Sequence, residues 1–483
     1  MAEIESNFYA IGRAFEVQKM RSFFDNSTSE LVAVIGRHRV GKTFLIKNVY
    51  KKEMAFYITG LQNVSRSMQL DNFLSARNEY FTNSISFEKP KNWLQAFAQL
   101  KQLLGKQKRK KRVLFFDELP WLADNSNEFL KAFDHFWNAW AVDQNLIVVI
   151  CGSAASWMIK NIINNKGGLH NRITQQIILQ PFTLYETENY FLSKGINIPR
   201  QSLITLYMAT GGIPYYLKEV QKGDTVVTSI NKMFFGKKAS LKNEFDNLYS
   251  ALFNNYEKHI LVIRALSTSW KGLTREEILI ETKLQSGGAL STILNELETS
   301  GFIQTTLPFG KQQRETLYRL LDAYSLFYLH FIEKNQHIEN FWLKKYNTQT
   351  VKSWQGYAFE NVCMIHIEGV KEALGISGIL TSESSYYKKA DENLPGCQID
   401  LLIERGDNAI NICEMKFYDG EYIITEESLK KMQQKRNIFQ EKTKTKKQIF
   451  LTLIAAAGVA DNKQKMQIDK HLTGDVLFKV AVL

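Results

Sequence analysis

Two groups of residues in the first third of this sequence have the types and spacing that phosphate chemistry needs. The first is Gly36-Arg37-His38-Arg39-Val40-Gly41-Lys42-Thr43, a full match to the pattern G-x-x-x-x-G-K-[ST]. Gly36 and Gly41 permit backbone conformations closed to other residues, so that consecutive N–H groups turn inward around phosphate oxygens. Lys42 is placed to reach β- and γ-phosphates, and the Thr43 hydroxyl to ligate Mg²⁺. Phe44 follows in the first turn of a helix whose N-terminal partial positive charge adds to the cradle. The second group closes the apolar run Val113-Leu114-Phe115-Phe116 with Asp117-Glu118. Asp117 would hold Mg²⁺ through a water, and Glu118 would orient and polarise an attacking water. Arg172 carries a fixed charge suited to a transferring phosphoryl group, and reads equally as a surface arginine.

The elements around these residues are those that would position them. Leu31–Ile35 is a short β-branched run that reads as a buried parallel strand, and FLIKNVYKK after Lys42 reads as a helix. Further strands are expected at Ala55–Thr59, Val113–Phe116, Asn145–Ile150 and Gln176–Leu179, with helices at Ser65–Glu79 and Lys91–Leu104. Strands alternating with helices predict a parallel sheet whose carboxyl edge carries the ligand. Before the first strand, Ile11-Gly12-Arg13 leads into a helix.

Composition bounds the rest. A length of 483 residues predicts two to four domains, and 45% apolar with 12% aromatic residues is ample for packed cores. The net charge of +12 favours an anionic partner, with DNA the leading candidate. The basic run Lys106–Arg112 reads as a solvated turn or as a nucleic-acid contact. The four cysteines (Cys151, Cys363, Cys397, Cys413) form no C-x-x-C pair, which predicts a reducing, cytoplasmic setting. The N-terminal residues lack a signal pattern, and the apolar stretches are too short to span a bilayer, so no membrane partner is expected.

Past Phe182 the pattern turns helical, broken once at Gly211-Gly212-Ile213-Pro214. A helix at Ile260–Ser267, an N-cap at Thr274, a helix at Ala289–Thr299 and strands at Gly301–Gln304 and Thr316–Leu320 give the layout of a winged helix. Its second helix carries few basic side chains, so docking to DNA and docking to protein weigh evenly. Beyond Ser353, Gln398–Ile403 and Ile410–Phe417 read as a hairpin joined through Arg405-Gly406-Asp407-Asn408. The hairpin puts Asp400 on one strand and Glu414-x-Lys416 on the next, with Glu414 and Lys416 on one face by the period of two. A helix at Glu426–Phe439 and a strand at Gln448–Leu453 follow.

That hairpin resembles the core of the PD-(D/E)XK nucleases. The resemblance implies that Asp400 and Glu414 share a divalent metal, that Lys416 supports the nucleophile or transition state, and that Glu360 is a further acidic member. Gln433 or Lys431 would approach a phosphate backbone. Ile399 stands where the family's proline precedes the aspartate. With GRHRVGKTFLI, FFDELPWLA, GSAASWM and IDLLIER…ICEMKFYDGEY, nearly all of the sequence resembles the archaeal-type AAA+/STAND-related ATPases, which often end in such a domain. That likeness implies a polar sensor at Ser153 for the γ-phosphate and a flap from Ile11-Gly12-Arg13 over the adenine.

The expected fold class is therefore α/β. A P-loop AAA+-like parallel-sheet core (1–181) leads to a helical lid (182–256), a winged helix-like domain (257–335) and a restriction-endonuclease-like α/β domain (350–483). The expected function is ATP binding and hydrolysis with Mg²⁺, the nucleotide state controlling a DNA-interacting, metal-dependent nuclease domain. The alternative is a STAND-like signalling switch, forming homo-oligomers, whose C-terminal domain only binds.

Overall fold

The computed structural model describes residues 12–81, 88–105, 111–123, 127–164, 169, 171–253, 255–390, 392 and 395–479. Ile11, Lys106–Lys110, Gly167, Gly168 and His170 lie outside the described residues. Two compact units emerge: Met1–Gln180 with Ala251–Asn254, and Pro181–Ser250 with Asn255–Leu483.

The first unit is built on five parallel strands, β1 (Glu30–Ile35), β2 (Met54–Thr59), β3 (Arg112–Asp117), β4 (Leu146–Gly152) and β5 (Gln175–Ile178), in the order β2-β3-β4-β1-β5. Every residue of β1 and β4 is buried, because helices cover both faces, and this is why these strands are unbroken apolar runs. On one face the helices Trp93–Gly105 and Glu128–Ala139 interlock through aromatic rings. Phe97 lies 5.0 Å from Phe136 and 5.8 Å from Phe116, and Trp93 meets Phe129 edge-on at 4.8 Å. Since β1, β3 and β4 run parallel and in register, the loops at their carboxyl ends all emerge at one edge of the sheet. The described part of the basic run is structural. Lys111 Nζ donates to the carbonyls of Asn26 and Thr28 at 2.9 and 2.7 Å, and Arg112 donates to that of Leu104.

The second unit begins with helices, among them Leu184–Ser193 and Arg200–Thr210. The sequence suggests that 182–256 packs as a lid on the nucleotide core. Residues 181–250 group with the second unit, where aromatic contacts hold them. Tyr207 meets His366 at 5.2 Å and Tyr216 meets Tyr324 at 5.1 Å. Next come β6 (Leu273–Thr274), the helices Arg275–Thr282 and Gly288–Thr299, β7 (Ile303–Thr306) and β8 (Leu317–Leu320). The three strands form an antiparallel sheet in the order β6-β8-β7. Thr274 and Glu277 cap the first of those helices reciprocally, each side chain accepting the other's backbone N–H.

After the helix Gln349–Ile365, a second five-stranded sheet follows: β9 (Thr381–Lys388), β10 (Cys397–Arg405), β11 (Ala409–Lys416), β12 (Gln448–Ala455) and β13 (Lys470–Thr473). Its order is β13-β12-β11-β10-β9, antiparallel from β9 to β11 and parallel from there to β13. Leu401 pairs with Cys413, so Asp400 and Glu414 stand next along the same end of the hairpin. Sequence pattern does not predict β9, because TSESSYYK is a polar edge strand with little apolar alternation.

His366 lies buried within the second unit. Its Nε2 accepts the Leu184 N–H at 2.9 Å while Nδ1 bonds the Val362 carbonyl, and burial pulls its pKa down to about 4. A depressed pKa gives stability that is complete above the unfolded value near 6.5 and disappears as pH falls through 4. Between pH 7 and pH 4.5 this group is expected to cost about 2–3 kcal/mol. Denaturant titrations at the two pH values should show that difference shrinking in His366→Gln.

Candidate functional site

At the carboxyl edge of the first sheet, the turn after β1 is fixed by sterics. A Cβ on Gly36 would stand 2.3 Å from the Leu179 carbonyl oxygen, so only glycine passes. Gly41 takes φ +92° and caps the helix Lys42–Val49, and since a Cβ there would meet nothing within 4 Å, it is the left-handed backbone that calls for glycine. Lys42 is 5% exposed. Its ammonium donates to the carbonyls of Gly36 (2.7 Å) and Arg37 (2.9 Å) and to Ser153 Oγ (3.1 Å). Thr43 Oγ1 donates to Asp117 Oδ2 at 2.7 Å, and Asp117 Oδ1 accepts the Glu118 N–H. Glu118 sits in the left-handed region at φ +46°, which aims its carboxylate at β4's end. There it accepts the Ser153 N–H (3.1 Å) and Oγ–H (2.6 Å).

Burial pushes the Asp117 carboxyl up from its ordinary value, the Thr43 hydroxyl pulls it down, and Glu118 pushes it up again. Burial, then Arg39 and Lys42, drive His38 down to about 4, so its ring is neutral near pH 7, and its buried Nδ1 has no hydrogen-bond partner. An orphaned ring nitrogen and a buried ammonium at a helix N-terminus fit a phosphate chain. The Thr43–Asp117 oxygen pair suits a hard cation such as Mg²⁺. Val40 is buried beneath the loop, and Phe44 is 61% exposed, so its backbone rather than its ring belongs to the cradle. Arg13 is buried, donating to the Gln180 carbonyl at 2.5 Å and pairing with Glu16, so it ties down the first helix.

Arg172 falls elsewhere. It is exposed in the turn before β5, three residues ahead of Gln175, whereas Ile35 at the loop pairs with Ile178. It therefore stands at the amino edge of the sheet, and a finger role is open to it only toward another copy.

A second acidic centre forms in the second unit. Glu414 Oε1 is 2.8 Å from Lys416 Nζ, and Oε2 is 2.8 Å from Lys435 Nζ. Glu360 Oε2 is 3.2 Å from Arg319 Nη2, and Asp400 Oδ1 accepts from Gln398 Nε2. Burial raises Glu414, but Lys435 and Lys416 outweigh it and hold the carboxylate below its usual range. Burial, and next Asp400, push Glu360 up to about 8 against the pull of Arg319.

The carboxylates have the right chemistry for Mg²⁺ or Mn²⁺. Yet among the described residues no group of three or more acidic, His or Cys side chains is placed to hold a metal ion. As arranged, two lysines neutralise Glu414 and burial keeps the Glu360 carboxyl raised beside Arg319, and the metal roles expected for Glu360, Asp400 and Glu414 find no shared coordination sphere. Lys431 pairs with Glu427 and Gln433 bonds Gln467, so neither joins this centre. Lys435 does, because it follows buried Met432 by three on the helix stripe facing the sheet. Sequence spacing around Met432 could have found Lys435. Arg319, 41 residues before Glu360 and on another element, left no such signal.

Comparison with known proteins agrees with the first unit's geometry. The family described as an ATPase domain predominantly from Archaea matches residues 11–220. Residues 11–220 carry an ATPase domain. An uncharacterized protein of Methanocaldococcus jannaschii is 24% identical over 213 residues, 44% of this chain and 44% of that protein. The match thus spans less than half the length of this curated relative. A Walker-type ATPase of Pyrococcus abyssi shares the fold with a TM-score of 0.50 and 16% identity, over 67% of this chain and 96% of that one.

The ATPase domain's loop gives a direct test. Gly36→Ala is expected to destabilise the first unit by about 1–3 kcal/mol through overpacking against Leu179. Denaturant unfolding, together with nucleotide titration by fluorescence, should show lost stability and lost nucleotide affinity in this variant.

Proposed function

We propose that this protein binds ATP with Mg²⁺ and hydrolyses it at the loop Gly36–Thr43, and that its nucleotide state governs a DNA-interacting C-terminal domain of nuclease-like fold. The observation that carries the reading is the convergence of Lys42, Thr43, Asp117, Glu118 and Ser153 at one sheet edge through bonds of 2.6–3.1 Å. Loop amides and Lys42 hold the phosphates, the ammonium exchanging its loop carbonyls for phosphate oxygens. Thr43 and Asp117 would hold Mg²⁺, which would supply neutralisation of phosphate charge. Glu118 orients the attacking water with the carboxylate oxygen it withdraws from Ser153, and the freed Ser153 hydroxyl donates to the γ-phosphate. The segment 257–335 serves as a winged helix, and Asp400, Glu414 and Lys416 form the acidic centre of the last domain.

The pairing of Glu360 with Arg319, and of Glu414 with two lysines, favours a second reading of that domain: it binds without cutting, and the chain is an ATP-dependent switch. Incubation of plasmid, linear and single-stranded DNA with the protein, ATP and Mg²⁺ or Mn²⁺ separates the two. Cutting that Glu414→Ala abolishes supports the nuclease, while intact DNA together with assembly on a slowly hydrolysed ATP analogue supports the switch.

Phosphate release tests the ATPase reading. Lys42→Ala is expected to weaken ATP binding by about 10-fold or more. Glu118→Gln should retain binding while hydrolysis falls by about 10²–10⁴. Stimulation of wild-type hydrolysis by DNA, absent in Lys42→Ala, is the outcome that links the two domains. Absence of hydrolysis in wild type, with and without DNA, removes the proposal.

A further inference from the structure

We propose that a cleft of about 550 Å³ in the second unit takes nucleotides of an unpaired nucleic-acid strand; this rests on the reading that the C-terminal domain meets nucleic acid. The cleft lies between the helix Gln349–Ile365 and the end of β11 with the turn beyond it, and its volume suits a small ligand, about 300–1,000 Å³. Gln355 lines it. This side chain is 5% exposed, and its Nε2 has no hydrogen-bond partner. A buried amide donor left unmet is costly, and a turn of this side chain toward the cleft would bring it to an entering acceptor.

The neighbouring walls specify the kind of acceptor. Gly356 has no side chain, and a Cβ there would meet nothing within 4 Å, so the helix surface is open beside Gln355. Tyr357 and Tyr418 present half-exposed rings, 41% and 54%, and each is braced from outside by another aromatic. Trp270 stacks on Tyr357 at 4.8 Å with 8° between the planes, and Tyr422 supports Tyr418 at 5.2 Å. Rings held in place with a face left open are stacking platforms, and every base has a face to offer them. Lys352, exposed one turn before Gly356, supplies an ammonium group to phosphate, whereas Lys416 at the same wall is engaged by Glu414 at 2.8 Å. Donor amide, two stacking rings and the Lys352 ammonium match a base and a phosphate together; of the two acidic side chains that also line the space, Glu360 has its carboxyl raised to about 8, and Asp419 lies in the turn after β11. A duplex keeps its bases stacked and paired inward, so it cannot lay one on Tyr418 or reach recessed Gln355.

The test is fluorescence anisotropy of a short fluorescein-labelled oligothymidylate, and of a duplex of the same length, with the full chain in EDTA so that no strand is cut. The single strand should bind about tenfold or more tightly than the duplex. Tyr418→Ala, an exposed position, and Gly356→Leu, which fills the cleft at a helical site with open space, should each weaken single-strand binding by about tenfold with the melting temperature unchanged. A duplex bound as tightly as the single strand, or variants that bind like wild type, overturns the cleft proposal while leaving the nucleic-acid reading in place. If wild type binds neither strand, both fall.

Discussion

The Ser153 hydroxyl accepts a hydrogen bond from the Lys42 ammonium and gives one to the Glu118 carboxylate, and the first unit is laid out so that these three can meet. They come from separate stretches of chain, each at the end of a different strand. A parallel sheet alone brings them together, since β1, β3 and β4 are neighbours running the same way. The aromatic layer under the helices keeps those strands dry, and in that dry setting each bond among the charged groups is worth more than in water. Burial also raises the Asp117 carboxyl, and the Thr43 hydroxyl and the Glu118 amide offset it. The same low-dielectric environment that positions the groups thus sets their proton affinities.

The acidic centre of the second unit follows the opposite design. Glu360 and Glu414 are paired with Arg319, Lys416 and Lys435, drawn from the three-stranded sheet, from β11 and from the helix Glu426–Thr443. Lys435 and Lys416 hold Glu414 ionised against its burial, whereas at Glu360 burial and the nearby Asp400 outweigh the pull of Arg319. Arg319 contributes a fixed charge from an element outside the five-stranded sheet, so the centre is complete only when both sheets are folded.

The strands of the first unit were legible because burial on both faces writes an uninterrupted apolar run, as in ELVAVI and LIVVICG. The loop was legible because two glycines and a lysine at fixed spacing have a mechanical purpose, which the 2.3 Å approach of Leu179 to Gly36 makes concrete. Polar β9 was not legible, since an edge strand needs no apolar alternation. Arg172 was suggested by its charge and its place after β4. Its position at the amino edge depends on the register of β5 against β1, which single-sequence patterns do not encode. Arg319 escaped for a related reason, since a charged residue's partner is chosen by tertiary packing, whereas the helix stripe through Met432 points to Lys435 rather than to Lys431 or Gln433.

The contact between Gly36 and Leu179 reaches further than the loop. The Leu179 N–H bonds the Ile35 carbonyl at 2.7 Å, and Arg13 grips the carbonyl of Gln180. The chain then leaves the first unit at Pro181, whose ring fixes its backbone angle. Loop, exit strand and departure point are therefore tied together by these three contacts. The glycine that opens the loop and the residue at which the chain leaves the first unit are thus two positions apart across a single pair of strands.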